Sequence, residues 1–117
     1  MSIVQFLTTV NGFSAVAPSD LETIADQIEI RTYTDGQLLI RRGEAGDNMQ
    51  VIRSGRVRIP LIDQGTGGTK MVVHLGPRDL VGEMALLTGE RRNADVVAEG
   101  DVETLVIERE TLQPLLR

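Results

Sequence analysis

The sequence predicts a mainly β domain, a small sandwich or barrel that follows two short helices. The chain has 117 residues, a length that suits a single domain. Apolar residues recur at helical spacing in the first quarter of the chain, and from about Ile28 onward they alternate with polar ones. Glycines then interrupt the alternating segments at short intervals, which is typical of strands joined by turns.

Two helices are predicted over residues 1–28. Asn11-Gly12 is typical of the end of the first helix, and Pro18 of the first turn of the second. Ser19 and Glu22 have the spacing of a capping box at the start of that second helix. The first apolar face comprises Ile3, Phe6, Leu7 and Val10. The second comprises Leu21, Ile24, Ala25 and Ile28.

Strands are predicted over residues 29–109, each with one apolar face turned toward a common interior. The segment 80–87 differs, because it is rich in helix formers and predicts a short helix with Gly82 at its entrance. A final helix is predicted to begin within 110–117, where Pro114 limits its length. The predicted strand runs are Leu38–Arg41, Met49–Arg53, Arg56–Ile62, Met71–Leu75, Asp95–Ala98 and Val102–Ile107.

Composition excludes several classes of protein. The chain has no cysteine, so it has no disulfide framework, thiolate zinc site or cysteine nucleophile. Its formal net charge of −5 is the wrong sign for binding nucleic acid or an anionic membrane surface. Without an apolar stretch of about 20 residues or a basic start, we expect a soluble, cytoplasmic chain. The one histidine, His74, is predicted to lie on a strand face rather than to bind a metal.

The residues around the predicted internal helix have the chemistry of an anion site. Gly82 at the helix entrance would let an anion approach the backbone, and Glu83 could accept hydrogen bonds from sugar hydroxyls. Arg91 and Arg92 follow within ten residues, and an arginine can bind a phosphate through two parallel hydrogen bonds. The alternative from the residues alone is a capped connector with two solvated arginines.

A longer pattern favours the first interpretation. The runs Gly82-Glu83-Met84-Ala85-Leu86 and Arg92-Asn93-Ala94-Asp95-Val96 resemble the phosphate-binding cassette of the cyclic nucleotide-binding domain family. That cassette reads Gly-Glu-apolar-Ala-Leu, a short gap, then Pro-Arg-x-Ala-Thr/Ser-Val. The resemblance extends over almost the whole chain through the turn glycines. It implies an eight-stranded β-roll with short N-terminal helices, an internal cassette helix and a short C-terminal helix.

The resemblance also implies a ligand, cAMP or cGMP, and a role for each cassette residue. Glu83 would bind the ribose 2′-hydroxyl and Arg92 the cyclic phosphate, and no metal is implied. The backbone contacts would come from Gly82, Met84 and Ala85. The implied ligand-binding set is completed by Asn93, Ala94 and Asp95.

This chain departs from the family pattern in three places: in the cassette at Arg91 and Asp95, in the turn at Arg78, and in the tail. Asp95 stands where the family has Thr or Ser, and its carboxylate would repel a phosphate or pair with Arg92. Arg91 replaces the family's proline and adds a positive charge. Arg78 replaces a glycine, at a cost of about 1–2 kcal/mol if the position requires a positive φ. The tail after Glu110 is too short for a long lid helix, so whether one follows Arg117 stays open.

Two functional hypotheses follow. The first is a non-catalytic regulatory module that senses cAMP or cGMP and relays the event to a host or partner domain. The second is a degenerate module, without nucleotide, that serves protein interaction or oligomerisation. The sequence does not decide between cAMP and cGMP, and a homodimer stays open under either hypothesis. An enzyme is not supported, because the chain lacks a nucleophile with its base or a metal-ligand set.

Overall fold

A computed structural model describes residues 2–13, 15–83 and 88–115. Helix α1 covers Ile3–Thr8, α2 covers Pro18–Gln27 and α3 covers Arg109–Leu112, which continues into a 3-10 turn over Gln113–Leu115. The strands are β1 Glu29–Tyr33, β2 Leu38–Ile40, β3 Asn48–Ile62, β4 Thr69–Leu75, β5 Leu80–Val81 and β6 Val96–Glu108. No helix of these described residues is long and apolar enough to cross a bilayer.

The two N-terminal helices are present, but their caps differ from those predicted. Helix α1 ends at Thr8, short of Asn11-Gly12, and a capping box that the sequence analysis missed begins it. The Gln5 N–H donates to the Ser2 hydroxyl at 3.1 Å, and the Ser2 N–H donates to the Gln5 side chain at 2.9 Å. The capping box predicted at Ser19 is wrong, because α2 begins one residue earlier, at Pro18.

All strands belong to one antiparallel sheet of order β1-β6-β3-β4, with β2 paired to β6 and β5 paired to β3. The mainly β class is confirmed, but the described residues form six strands rather than eight. The predicted runs 49–53 and 56–62 are one strand, β3, and the last two runs are one strand, β6. Gly55 and Gly100 have φ of +89° and +72°, so the strands bend there without ending.

The core has two parts. One part packs α1, α2 and α3 against the Met49–Val51 end of β3, around Leu7, Ile24 and Leu105. The other lies inside the rolled sheet around Ile52, Val57 and Ala98. The buried side chain of Gln50 in β3 connects β1 and β6. Its Oε1 accepts hydrogen bonds from the hydroxyls of Tyr33 and Thr104, at 2.8 and 2.7 Å.

Two turns complete the sheet. The glycine-rich segment 63–68 is the hairpin loop between β3 and β4, and within it the Asp63 N–H donates to the Gly68 carbonyl at 2.7 Å. The turn between β4 and β5 places Arg78 at a φ of 76°, the one positive φ outside glycine in the described residues. The Arg78 N–H donates to the Ile52 carbonyl at 2.8 Å, which ties this turn to β3.

Candidate functional site

One cavity of about 250 Å³ opens inside the roll, beside the segment that follows β5. This volume lies just below the range of about 300–1,000 Å³ that is usual for ligand pockets. Its apolar wall includes Ile40, Ile59, Leu75, Leu80, Val81 and Val96. Its remaining lining comprises Gly82, Glu83, Thr88, Glu90, Arg91, Arg92, Asn93 and Ala94. The cavity thus combines an apolar side with a polar side that carries two arginines and two carboxylates.

Arg92 is the buried cation of this cavity, with 8% of its surface exposed. Its Nη1 donates to the Gly82 carbonyl and its Nη2 to the Asn48 carbonyl, each at 2.7 Å. Neither partner is charged, and none of the ion pairs found among the described residues includes Arg92. The protein therefore holds a desolvated guanidinium through neutral acceptors, an arrangement that leaves its charge available to an anion.

The electrostatic surroundings of Arg92 act in opposite directions. Burial lowers the pKa of the Arg92 guanidinium, since desolvation penalises the charged form. The carboxylates of Asp47 and Glu44 act against this shift and raise the pKa, while the positive charge of Arg109 lowers it further. Arginine starts from so high a value that the group keeps its charge at neutral pH.

Backbone hydrogen bonds fix the position of Arg92. Its N–H donates to the Glu44 carbonyl at 2.8 Å, and its carbonyl accepts from the Gly43 N–H at 2.8 Å. The segment 91–92 is thus paired with the turn between β2 and β3. This pairing positions the Arg92 side chain in the cavity through contacts within the protein itself.

Gly82 is required by the close approach of Arg92. Its φ is +83°, and a Cβ built there would collide with Nη1 of Arg92 and lie 3.0 Å from Cδ1 of Ile40. The guanidinium of Arg92 thus occupies the space in which a side chain at position 82 would lie. The predicted approach of a phosphate to the Gly82 backbone stays a prediction.

Most of the predicted internal helix lies outside the described residues. Glu83 and Thr88 have helical conformation, and Glu83 is half-buried in the cavity lining. Met84 and Ala85, the other two predicted backbone contacts, lie outside the described residues, as does the rest of the predicted helix up to residue 87.

Asp95 does not face the cavity, unlike Asn93 and Ala94, which line it. Its Oδ1 accepts a hydrogen bond from the Arg42 N–H at 2.7 Å. The suggested pairing of Asp95 with Arg92 is wrong, because no ion pair among the described residues joins these two side chains and the Asp95 carboxylate binds the Arg42 N–H instead. The carboxylate stabilises the turn between β2 and β3 instead.

Asn48 is a site residue that the sequence analysis missed. It holds Arg92 from 44 positions upstream, mainly through its backbone carbonyl. Such a contact depends on the fold and not on the side chain, so it leaves little trace in a sequence. Glu90 and Thr88 were missed for a different reason, since nothing distinguishes them from ordinary loop residues until the cavity is visible.

His74 lies on the strand face where the sequence placed it. Its Nε2 is 2.9 Å from Oε1 of Glu99, and 45% of its side chain is exposed. Over residues 2–13, 15–83 and 88–115, no three histidine, cysteine or acidic side chains are grouped as metal ligands.

Comparison with known protein families gives one match, to the family described as "Cyclic nucleotide-binding domain", over residues 30–117. The chain is 35% identical over 113 residues to a cGMP-dependent protein kinase, isozyme 2, of Drosophila melanogaster. That alignment covers 95% of this chain but 12% of the kinase. The chain therefore corresponds to a small part of that relative.

Solved structures resemble it closely. The regulatory domain of Toxoplasma gondii PKA, co-crystallised with cAMP, has a TM-score of 0.90 and 25% identity, over 97% of this chain and 44% of that one. The regulatory subunit of a cAMP-independent protein kinase A from Trypanosoma brucei has a TM-score of 0.86 and 31% identity, over 97% and 43%.

Proposed function

This chain belongs to the cyclic nucleotide-binding domain family, and from this premise we propose that it binds cAMP or cGMP through the cavity that contains Arg92. We assign it no catalytic role. It is a regulatory module that senses the nucleotide and relays the event to a host or partner domain. The similar chains support such a role, since they include a cGMP-dependent kinase and the regulatory domain of a PKA.

One observation carries the proposal: a buried guanidinium lies at the cavity floor with only neutral acceptors. Nη1 and Nη2 of Arg92 are 2.7 Å from the carbonyl oxygens of Gly82 and Asn48. A cyclic phosphate is a stronger acceptor for these N–H groups than a carbonyl, because its oxygens share a negative charge. The ribose and base would then extend along the apolar wall.

The other proposed contacts surround this phosphate position. Glu83 accepts from the ribose 2′-hydroxyl, and Gly82 contributes backbone contacts beside it, with Met84 and Ala85 in the same role. Asn93 and Ala94 form the wall next to Arg92. Asp95 acts indirectly, because its bond to the Arg42 N–H holds the turn with which Arg92 is paired.

The relay is proposed to run through the helices. Ligand contact at Gly82 would draw the following helix toward the phosphate, and the terminal helices would repack. These helices already touch, since the Thr111 hydroxyl of α3 donates to the side chain of Gln27 in α2 at 2.9 Å. Both pack in the cluster that contains Val51 of β3.

The test is isothermal titration of the chain with cAMP and with cGMP, using Arg92→Ala and a matched control. We expect Arg92→Ala to weaken binding by roughly 1.5–3 kcal/mol, the usual value for a hydrogen bond to a charged group. Arg53→Ala removes an arginine whose partner is Glu103, away from the cavity, and should bind as the unmodified chain does. Equal affinity of Arg92→Ala and the unmodified chain would refute the assigned role.

The alternative is a degenerate module that has lost the nucleotide. Two observations favour this alternative. The bonds of Arg92 to the Gly82 and Asn48 carbonyls could withhold the guanidinium from a ligand. The similar Trypanosoma brucei structure belongs to a protein kinase A described as cAMP-independent. Asp95→Thr restores the family residue in the same titration. We expect no gain, because the Asp95 carboxylate faces Arg42. Binding that appears only in Asp95→Thr would favour the degenerate module.

A further inference from the structure

A second guanidinium lines the cavity beside Arg92. Arg91 belongs to the lining but is solvent-exposed, so it lies at the rim while Arg92 lies at the floor. In the described part of the chain, Arg91 forms no ion pair with a carboxylate. The rim therefore carries a positive charge that no contact of these residues neutralises.

The position of this side chain is set by the fold. Nη1 of Arg91 donates to the Gly43 carbonyl at 3.0 Å, and Gly43 in turn donates its N–H to the Arg92 carbonyl. The Arg91 guanidinium is thus attached to the same turn that fixes Arg92. A neutral acceptor holds it, as at Arg92, and the contact uses one of its five N–H groups.

We infer that Arg91 is a second phosphate-binding group, so that two guanidiniums act on the phosphate of one nucleotide. This inference rests on the proposed function and extends the ligands of the cavity to nucleotides with a phosphomonoester group. A cyclic phosphate carries one negative charge, whereas a phosphomonoester carries about 1.5 to 2 at neutral pH. With two arginines, the site also accepts linear nucleoside monophosphates.

The two carboxylates in the cavity, Glu83 and Glu90, do not cancel the attraction of the two arginines for a phosphomonoester. Glu83 is assigned to the ribose, and Glu90 lies in the lining with neither of these arginines as an ion-pair partner among the described residues. The positive charge of Arg91, the next residue in the sequence and part of the same lining, opposes the repulsion between Glu90 and the phosphate. Glu90→Gln should accordingly strengthen the binding of a phosphomonoester more than that of a cyclic nucleotide.

The experiment titrates cAMP, 5′-AMP and adenosine into the unmodified chain, Arg91→Ala, Arg91→Lys and the control Arg53→Ala. Arg91→Ala should weaken 5′-AMP by about tenfold and cAMP by less, and leave adenosine unchanged, since a charge-assisted contact is lost only with the phosphates. Arg91→Lys should keep part of the affinity. The slope of log Kd against log salt should fall with Arg91→Ala, which a merely structural role would not cause. Melting curves confirm that each variant is folded.

The outcomes separate this inference from the proposed function. Identical phosphate binding by Arg91→Ala and the unmodified chain overturns the inference alone, as does an equal loss for adenosine. Binding of 5′-AMP that depends on Arg91, without binding of cAMP or cGMP, overturns the proposed function and supports the inference. Failure of the unmodified chain to bind any of these ligands overturns both.

Discussion

At the scale of single residues, Arg78 shows how a side chain can occupy a position that favours glycine. Its φ of 76° lies in the left-handed region, which costs a residue with a Cβ about 1–2 kcal/mol. The Arg78 Nε donates to the Thr9 hydroxyl at 3.3 Å, an exposed contact that connects the β4–β5 turn to the residue after α1. One exposed hydrogen bond returns only part of the cost of this conformation.

We therefore expect Arg78→Gly to be more stable than Arg78→Ala by about 1 kcal/mol in urea unfolding. Both variants lose the contact with Thr9, but only glycine removes the backbone strain. Gly36→Ala is the matched control, since its φ is +83° and nothing lies within 4 Å of an added Cβ, so it should destabilise by a similar amount. Equal stability of the two Arg78 variants would contradict this account.

At the scale of secondary-structure elements, Gln50 connects four strands. Its Oε1 accepts from Tyr33 of β1 and Thr104 of β6, and its Nε2 donates to the Leu39 carbonyl of β2 at 3.3 Å. Only 1% of Gln50 is exposed, so its removal leaves buried hydroxyls without their acceptor. This side chain on β3 therefore helps to fix the register of its neighbours.

Gln50→Met, which keeps the approximate volume, should lower the free energy of unfolding by roughly 2–4 kcal/mol because two donors lose their acceptor. Chemical denaturation measures the change. Gln113→Ala, at an exposed position after α3, should have little effect. A loss no larger for Gln50→Met than for this control would show that the polar group contributes nothing to stability.

The sequence predicts most elements and misses how they are joined. Alternation identifies the segments of β3 and β6, but a glycine with positive φ inside a strand is not distinguishable in sequence from one in a turn, so each strand was divided at Gly55 or Gly100. For the candidate site, the cassette pattern predicted Arg92 and Glu83, and both residues line the cavity. It could not predict the contact of Arg92 with the Asn48 carbonyl or the bond between Asp95 and the Arg42 N–H, because both join segments that are distant in the sequence.

At the scale of the whole molecule, the cavity and the helical cluster share β3. Ile59 of β3 lines the cavity, and Arg92 of the cavity is bonded to Asn48 at the start of the strand. The helices pack around Met49 and Val51 of the same strand. A ligand that binds only the folded state should therefore stabilise the whole domain in one transition.

At a cAMP or cGMP concentration 100 times Kd, mass action adds about 2.7 kcal/mol of stability. For a domain of this size, this corresponds to a rise in Tm of roughly 10 °C or more. Differential scanning calorimetry should show that rise as a single shifted peak in Arg53→Ala, and a much smaller shift in Arg92→Ala at the same concentration. Two separated peaks would show that the cavity and the helical cluster unfold independently.

The carbonyl bonds of Arg92 make the backbone a competitor of the ligand. Where a phosphate binds through the N–H groups that now donate to Gly82 and Asn48, it takes them from these carbonyl oxygens, not from water. The affinity for the nucleotide then depends on how much better the phosphate accepts these hydrogen bonds than the carbonyls do. The guanidinium loses its water when the protein folds, so ligand binding does not bear that cost again. The same exchange would remove one hydrogen bond each from the carbonyls of Gly82 and Asn48, so we expect occupancy of the cavity to loosen the backbone at these two positions.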